Sequence, residues 1–202
     1  MKIDKEKEKK INKAIKIEAK ERKYKVRQDI VYFVKGKYFI YCLVYLDNKS
    51  EVNYSVNIKE LAYDDIFWRV MNMEGNCDEP LSLRAIGAFK SYPIVICNDK
   101  FTYEDDVAKI AKGILDNMEI MTKEFIKTND LDEYILNEYN GYDKDFLSCI
   151  VYLKKGKFSI AKNIAKKNIE KGESGGFRNV GKTFFEYVLD VDENSLKSGQ
   201  RF

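Results

Sequence analysis

One stretch of the chain matches a phosphate-loop pattern: Gly176-Phe177-Arg178-Asn179-Val180-Gly181-Lys182-Thr183. In that chemistry backbone amides cradle phosphates, Lys182 reaches the β and γ oxygens, and Thr183 holds magnesium. The pattern works only where a buried strand leads into it and a helix leads out. Here the preceding residues, Lys166 to Gly172, read as a helix end, and nineteen residues follow Thr183, too few for a parallel sheet. Gly176, Gly181, Lys182 and Thr183 therefore read as a glycine-rich helix–helix connection, and no nucleotide site is expected. Ser159-Ile160-Ala161-Lys162 matches a Ser-x-x-Lys nucleophile pattern, but its Ser-Asp-Asn and Lys-Thr-Gly companions are absent. Serine and lysine three apart on an exposed helix explain it.

The chain has no histidine. That excludes Ser-His-Asp and Cys-His catalysis, a histidine general base and histidine-ligated zinc. Acidic neighbours include Asp64-Asp65, Asp105-Asp106 and Asp132-Glu133. Adjacent helical residues point about 100° apart, so such pairs share no acid–base site by themselves. Each pair falls at a predicted helix start, where carboxylates oppose the positive end of the helix dipole. The four cysteines, Cys42, Cys77, Cys97 and Cys149, form no Cys-x-x-Cys pair and read as core or free thiols. No catalytic set, metal site or cofactor is expected.

The stretch around the sole tryptophan, Tyr63-Asp64-Asp65-Ile66-Phe67-Trp68-Arg69, carries more aromatic surface than one helical stripe buries. Tryptophan and arginine are favoured interface anchors. Arg84 sits in an otherwise apolar segment, and a buried arginine needs a carboxylate. Asp64 or Asp65 is the expected partner. Tyr63, Asp64, Asp65, Trp68, Arg69 and Arg84 are thus the candidate binding residues. Two readings stay open for them: a salt bridge that locks two elements, or a pocket.

The elements that must position these residues follow from periodicity. At 202 residues, 45% hydrophobic and 34% charged, the chain fits a globular protein able to bury a core without disulfides. It shows no signal-peptide-like apolar run at its start. Its longest apolar run, Tyr38–Leu46, is far short of the ~18 residues of a membrane helix. A cytoplasmic protein is expected, and the abundance of Lys, Ile and Asn fits a bacterial, AT-rich genome.

Tyr38–Leu46 reads as a central strand, apolar at every position and so requiring cover on both faces. Tyr24–Val34 before it and Glu51–Ile58 after it complete a meander, turning at Lys35-Gly36-Lys37 and at Asp47-Asn48-Lys49-Ser50. Val52, Tyr54, Val56 and Ile58 alternate with polar residues, so they face the core. Leu81–Phe89 and Tyr92–Asn98 read as a second hairpin. Helices are predicted over 5–23, 60–73, 102–127, 131–139, 143–155, 157–171 and 180–191. The longest has Val107, Ile110, Ala111, Ile114, Met118, Met121 and Phe125 at three- and four-residue spacing, with Thr102 and Asp105 as its capping box.

The expected fold is therefore α+β. It has an antiparallel sheet of about five strands, 24–58 plus 81–98, with an N-terminal helix, a long helix and a C-terminal helical lobe. One compact unit is expected, with a sheet lobe at 1–101, a helical lobe at 102–191 and a frayed tail at 192–202. Gly156-Lys157-Phe158-Ser159-Ile160-Ala161 resembles the turn of a tetratricopeptide hairpin. No second copy follows at the period of about 34 residues that stacked repeats keep, so an isolated helical hairpin is expected.

Residues 1–25 carry eleven basic and five acidic side chains. The interleaved glutamates repel phosphate backbones. Nucleic acid is therefore a poor partner, and the helix is expected to cover the second sheet face with Ile11, Ala14, Ile15 and Ala19. The leading functional expectation is a non-enzymatic intracellular protein-binding module, of the general kind found in bacterial immunity proteins. The alternatives are a small-molecule binder or histidine-independent enzyme with a site at Tyr63, Asp65 and Arg84, and nucleic-acid binding through the N-terminal helix.

Overall fold

The computed structural model describes residues 4–47, 49–103, 106–192 and 196. In chain order, helix α1 (Lys5–Glu21) leads into strands β1 (Lys25–Arg27), β2 (Ile30–Lys35), β3 (Tyr38–Leu46) and β4 (Glu51–Glu60). Helices α2 (Leu61–Val70) and α3 (Leu83–Ile86) precede β5 (Ile94–Thr102). Then come α4 (Val107–Thr128), α5 (Leu131–Asn137), α6 (Lys144–Lys154) and α7 (Phe158–Glu170). A two-stranded ribbon, β6 (Arg178–Asn179) and β7 (Lys182–Thr183), leads into α8 (Phe184–Asp190). No helix among the described residues is long and apolar enough to cross a membrane.

The chain forms two compact units, each built from two stretches: residues 1–59 with 93–129, and residues 60–92 with 130–202. This places α4 with the sheet rather than with the helical lobe expected from residue 102 onward.

The first unit is an α+β arrangement around a five-stranded antiparallel sheet in the order β1-β2-β3-β4-β5. The strand number matches the expectation, but two of its members do not. Tyr24–Val34 is not one strand: Gln28 adopts φ +54° and reverses the chain, so that Arg27 pairs with Ile30. Leu81–Phe89 is not a strand either. The place it was expected to fill beside β5 is taken by β4, in a register that pairs Tyr54 with Asp99 and Val52 with Phe101. Pairing continues to Thr102, so α4 starts later than expected, at Val107. The side chain of Asp106 caps it by accepting from the Lys109 amide. Asp105, expected in the cap, and Asn48, expected in the turn, lie outside the described residues.

Helices α1 and α4 pack on each other and on the sheet. The Tyr54 hydroxyl accepts from Asn117 of α4 at 2.7 Å. The Tyr24 hydroxyl donates to Glu119 of α4 at 2.8 Å while its ring stacks on Phe33. Phe33 pairs with Ile40, so the helices lie over the face that holds Ile40, Cys42, Val44 and Leu46, all buried. Ile11, Ala14, Ile15 and Ala19 of α1 are buried as expected. They cover the same sheet face as α4, however, and not the opposite one. Arg22 ties the two helices together, reaching Glu18, Asp116 and Glu119 at 2.6–2.9 Å.

The second unit is helical. Helices α6 and α7 form an antiparallel hairpin that turns at Gly156, and α8 packs on α7. Its core is aromatic: Phe146 lies 4.2 Å from Phe184 and 5.5 Å from both Phe67 and Phe177, ring centre to ring centre. The last helix is shorter than the expected 180–191. Val180 and Gly181 both take positive φ, which closes the β6–β7 turn. Thr183 then starts α8 through a capping box with Glu186.

Candidate functional site

Arg84 is buried, and its carboxylate partners are the two expected from its sequence context. It stands on the short helix α3 and not on a strand. Its guanidinium donates to Asp65 at 2.7 Å and to the Leu61 carbonyl at 2.8 Å, and lies 3.5 Å from Asp64. The indole of Trp68 lies under the guanidinium at 4.9 Å, a cation–π contact. Asp64, fully buried, accepts from both the amide and the hydroxyl of Ser91. The Trp68 indole N–H donates to the Phe89 carbonyl at 2.8 Å. Five charge-assisted or indole hydrogen bonds thus hold residues 84–91 against α2. The arrangement has the properties of a structural lock: its groups are directed at one another, and Trp68 and Arg84 have little surface left for a ligand. Arg69 is half-buried at the end of the same helix.

Tyr63 faces elsewhere. It is fully buried, and its hydroxyl donates to Asp132 at 2.7 Å. Lys154 bridges Asp132 at 2.9 Å and Glu60 at 2.5 Å, with its ammonium 5.3 Å from the Tyr63 ring. The structure therefore brings Asp64, Asp65, Trp68 and Arg84 together and assigns Tyr63 to a second buried network. Sequence reasoning missed that network. Asp132 was read as a helix-start charge, and only tertiary structure shows it turned inward toward residues far away in the chain.

Burial and the neighbouring Asp132 push the Tyr63 hydroxyl well above the ordinary tyrosine range. A raised folded-state pKa contributes stability below the unfolded pKa of about 10 and loses it as pH rises above that value. The chain is accordingly expected to weaken in alkali, by about 1.4 kcal/mol per pH unit above pH ~10 from Tyr63 alone. Urea unfolding midpoints measured from pH 8 to pH 11 check this. The Tyr63→Phe variant should show a shallower decline.

The phosphate-loop residues are also engaged. Gly176 precedes the β6–β7 ribbon, Gly181 forms its turn, Lys182 pairs with Asp190 at 2.7 Å, and Thr183 caps α8. Ser159 is exposed on α7. Cys42 and Cys149 are buried thiols whose ionisation burial pushes up. Among the described residues no group of three or more Cys, Asp or Glu side chains is placed to hold a metal ion.

The surface left open lies on the sheet. On β3 the residues alternating with the helix-facing set are Phe39, Tyr41, Leu43 and Tyr45. The first two are buried, but Leu43 is 37% and Tyr45 58% exposed. Val34, paired with Phe39, is 41% exposed, and Val95, paired with Asn57 on β4, is 48% exposed. All four point away from α1 and α4. Beside Tyr45 the polar side chains of Asn53, Ser55, Asn98 and Lys100 line a hollow of about 450 Å³. The expectation that β3 is covered on both faces thus holds for one face and for only part of the other.

No family model matches the chain, and comparison with curated proteins and with solved structures finds no significant relative.

Proposed function

We propose that the chain is a non-enzymatic protein-binding module whose contact surface is the open part of the sheet around Leu43 and Tyr45. The observation that supports this is the contrast along β3. Its sequence is apolar throughout, yet the structure leaves two of its large side chains in water, with Val34 and Val95 on the same face. Large apolar side chains exposed on one face beside polar groups are a feature of interaction sites. The rim here is Asn53, Ser55, Asn98 and Lys100, and tyrosine is among the residues enriched at such contacts. The partner is a protein whose own apolar patch is bordered by groups that hydrogen-bond amides and hydroxyls. The narrower immunity-type reading belongs to the same class. It adds the requirement that the partner be a toxic enzyme silenced on binding.

Substituting Tyr45→Asp together with Val95→Asp tests the surface. Both side chains are about half exposed or more, so stability is expected to change by no more than ~1 kcal/mol for the pair. A partner recovered by the native chain from its own host should lose about thirtyfold or more in affinity, as when an interface anchor is removed. Equal retention of that partner by the variant, or no partner in any growth condition, overturns the proposal.

A further inference from the structure

The second unit carries a cleft of about 460 Å³ that neither the buried locks nor the open sheet face uses. Tyr92 and Tyr142 form its aromatic wall, backed by the buried Phe146. Tyr92 meets Tyr142 edge to face, at 5.7 Å and 76°, and Phe146 in the same manner, at 4.9 Å and 80°. Successive near-perpendicular rings make a corner with aromatic surface on more than one side. Phe146 is buried and belongs to the core, but Tyr142 is 90% exposed and contributes nothing to it. Tyr92 is fitted to its place: Gly176 adopts φ +80°, and a Cβ there would fall 1.9 Å from the Tyr92 hydroxyl oxygen. Only bare backbone lets that ring sit where it does.

The charges around the corner are mainly negative. Asp143 is buried and accepts from the Tyr139 hydroxyl at 2.5 Å, and Asp145 accepts from the buried Asn168 amide at 2.8 Å. These bonds hold both carboxylates beside the rings. Glu173 and Lys171 lie exposed on the rim and offset each other. Burial, with Tyr142 and Asp143 adjacent, pushes the Tyr92 hydroxyl above its ordinary range, so the phenol stays neutral at physiological pH.

Aromatic faces carry negative electrostatic potential, and desolvated rings attract cations most strongly. A strongly hydrated metal ion would lose its water without gaining enough oxygen ligands here. A bulky, weakly hydrated cation gains from the rings and the carboxylates together. We propose that this cleft binds a methylated ammonium group, held in the corner of the Tyr92 and Tyr142 rings with Asp143 and Asp145 supplying the counter-charge. A free quaternary amine and a trimethylated lysine side chain of a peptide present the same chemistry.

Isothermal titration calorimetry on the full chain tests this with choline, its uncharged carbon isostere 3,3-dimethyl-1-butanol, and a short peptide bearing trimethyllysine. Saturable binding of choline or the peptide is expected, with the neutral isostere at least tenfold weaker. Tighter binding of the peptide assigns the source to a protein chain, and equal or tighter binding of choline assigns it to a free amine. Tyr142→Ala should weaken the cation about fivefold or more, the contribution of one ring face. Tyr142→Phe should bind like the native chain. Because Tyr142 is almost wholly exposed, both variants should melt as the native chain does. No saturable binding of either cation, equal binding of the neutral isostere, or undiminished binding by Tyr142→Ala overturns the proposal.

Discussion

Arg84→Ala is expected to destabilise the protein by about 3–5 kcal/mol, the loss typical when one partner of a buried ion pair is removed. The penalty comes from what stays behind. Asp64 remains fully buried and loses the guanidinium 3.5 Å away while it still accepts from the Ser91 amide and hydroxyl, and the Leu61 carbonyl and Trp68 ring lose the guanidinium that covers them. Arg84→Lys should recover part of the loss. An ammonium restores the charge, but it cannot hold Asp65 and the Leu61 carbonyl with the same planar fork. Urea unfolding monitored through the sole tryptophan is a direct readout, since Trp68 is itself part of the cluster. A variant that unfolds at the native urea concentration would show that Arg84 is not a structural lock. It would return the residue to the class of binding groups.

Phe146→Ala is expected to cost a similar amount, about 3–5 kcal/mol, for a different reason. Nothing charged is exposed. A ring in contact range of Phe67, Phe177, Phe184 and Tyr92 is replaced by a methyl group, and a cavity opens in a close-packed aromatic core. The edge-to-face contacts with Phe67 and Tyr92 add to the loss. Phe146→Leu should lose less than half as much, because it keeps most of the volume. If the alanine variant unfolds within ~1 kcal/mol of the native chain, the cluster is not the core of this unit.

Much of the architecture was legible where a single periodicity ran long enough. Helix α4 repeats its apolar residues over six turns, and β4 alternates polar and apolar residues from Glu51 to Ile58. Both were located correctly apart from their ends. The need of Arg84 for a carboxylate was also legible, because the cost of a buried charge does not depend on secondary structure. Leu81–Phe89 was misread because a short apolar run fits a strand and a helical turn equally well. Its conformation is set by the bonds of Arg84 and by the Phe89 carbonyl under Trp68, neither of which leaves a mark on the local pattern. The reversal at Gln28 carries no glycine, proline or asparagine to announce it. Asp64 and Asp132 stand among helix-start charges, and only partners distant in sequence turn them inward. The open sheet face follows from both sources: the sequence shows a strand that wants cover, and the structure shows which part stays bare.

The two-stretch construction of the sheet unit has a consequence for how the protein is made. β4 leaves the ribosome well before its neighbour β5, because residues 60–92, which belong to the other unit, are translated between them. Helix α4, which covers the sheet, is complete only at residue 128. At about 5–20 residues per second, the span from residue 60 to residue 102, where β5 ends, takes roughly 2–8 seconds to emerge. Throughout that time β4 is an unpaired edge carrying Val, Tyr and Ile, beside strands whose inner face has only α1 to shelter it. Unpaired edges of that kind recruit other chains. The nascent protein is therefore at its greatest risk of aggregation in that interval, and slower translation through α2 and α3 would lengthen the exposure rather than help the sheet to form.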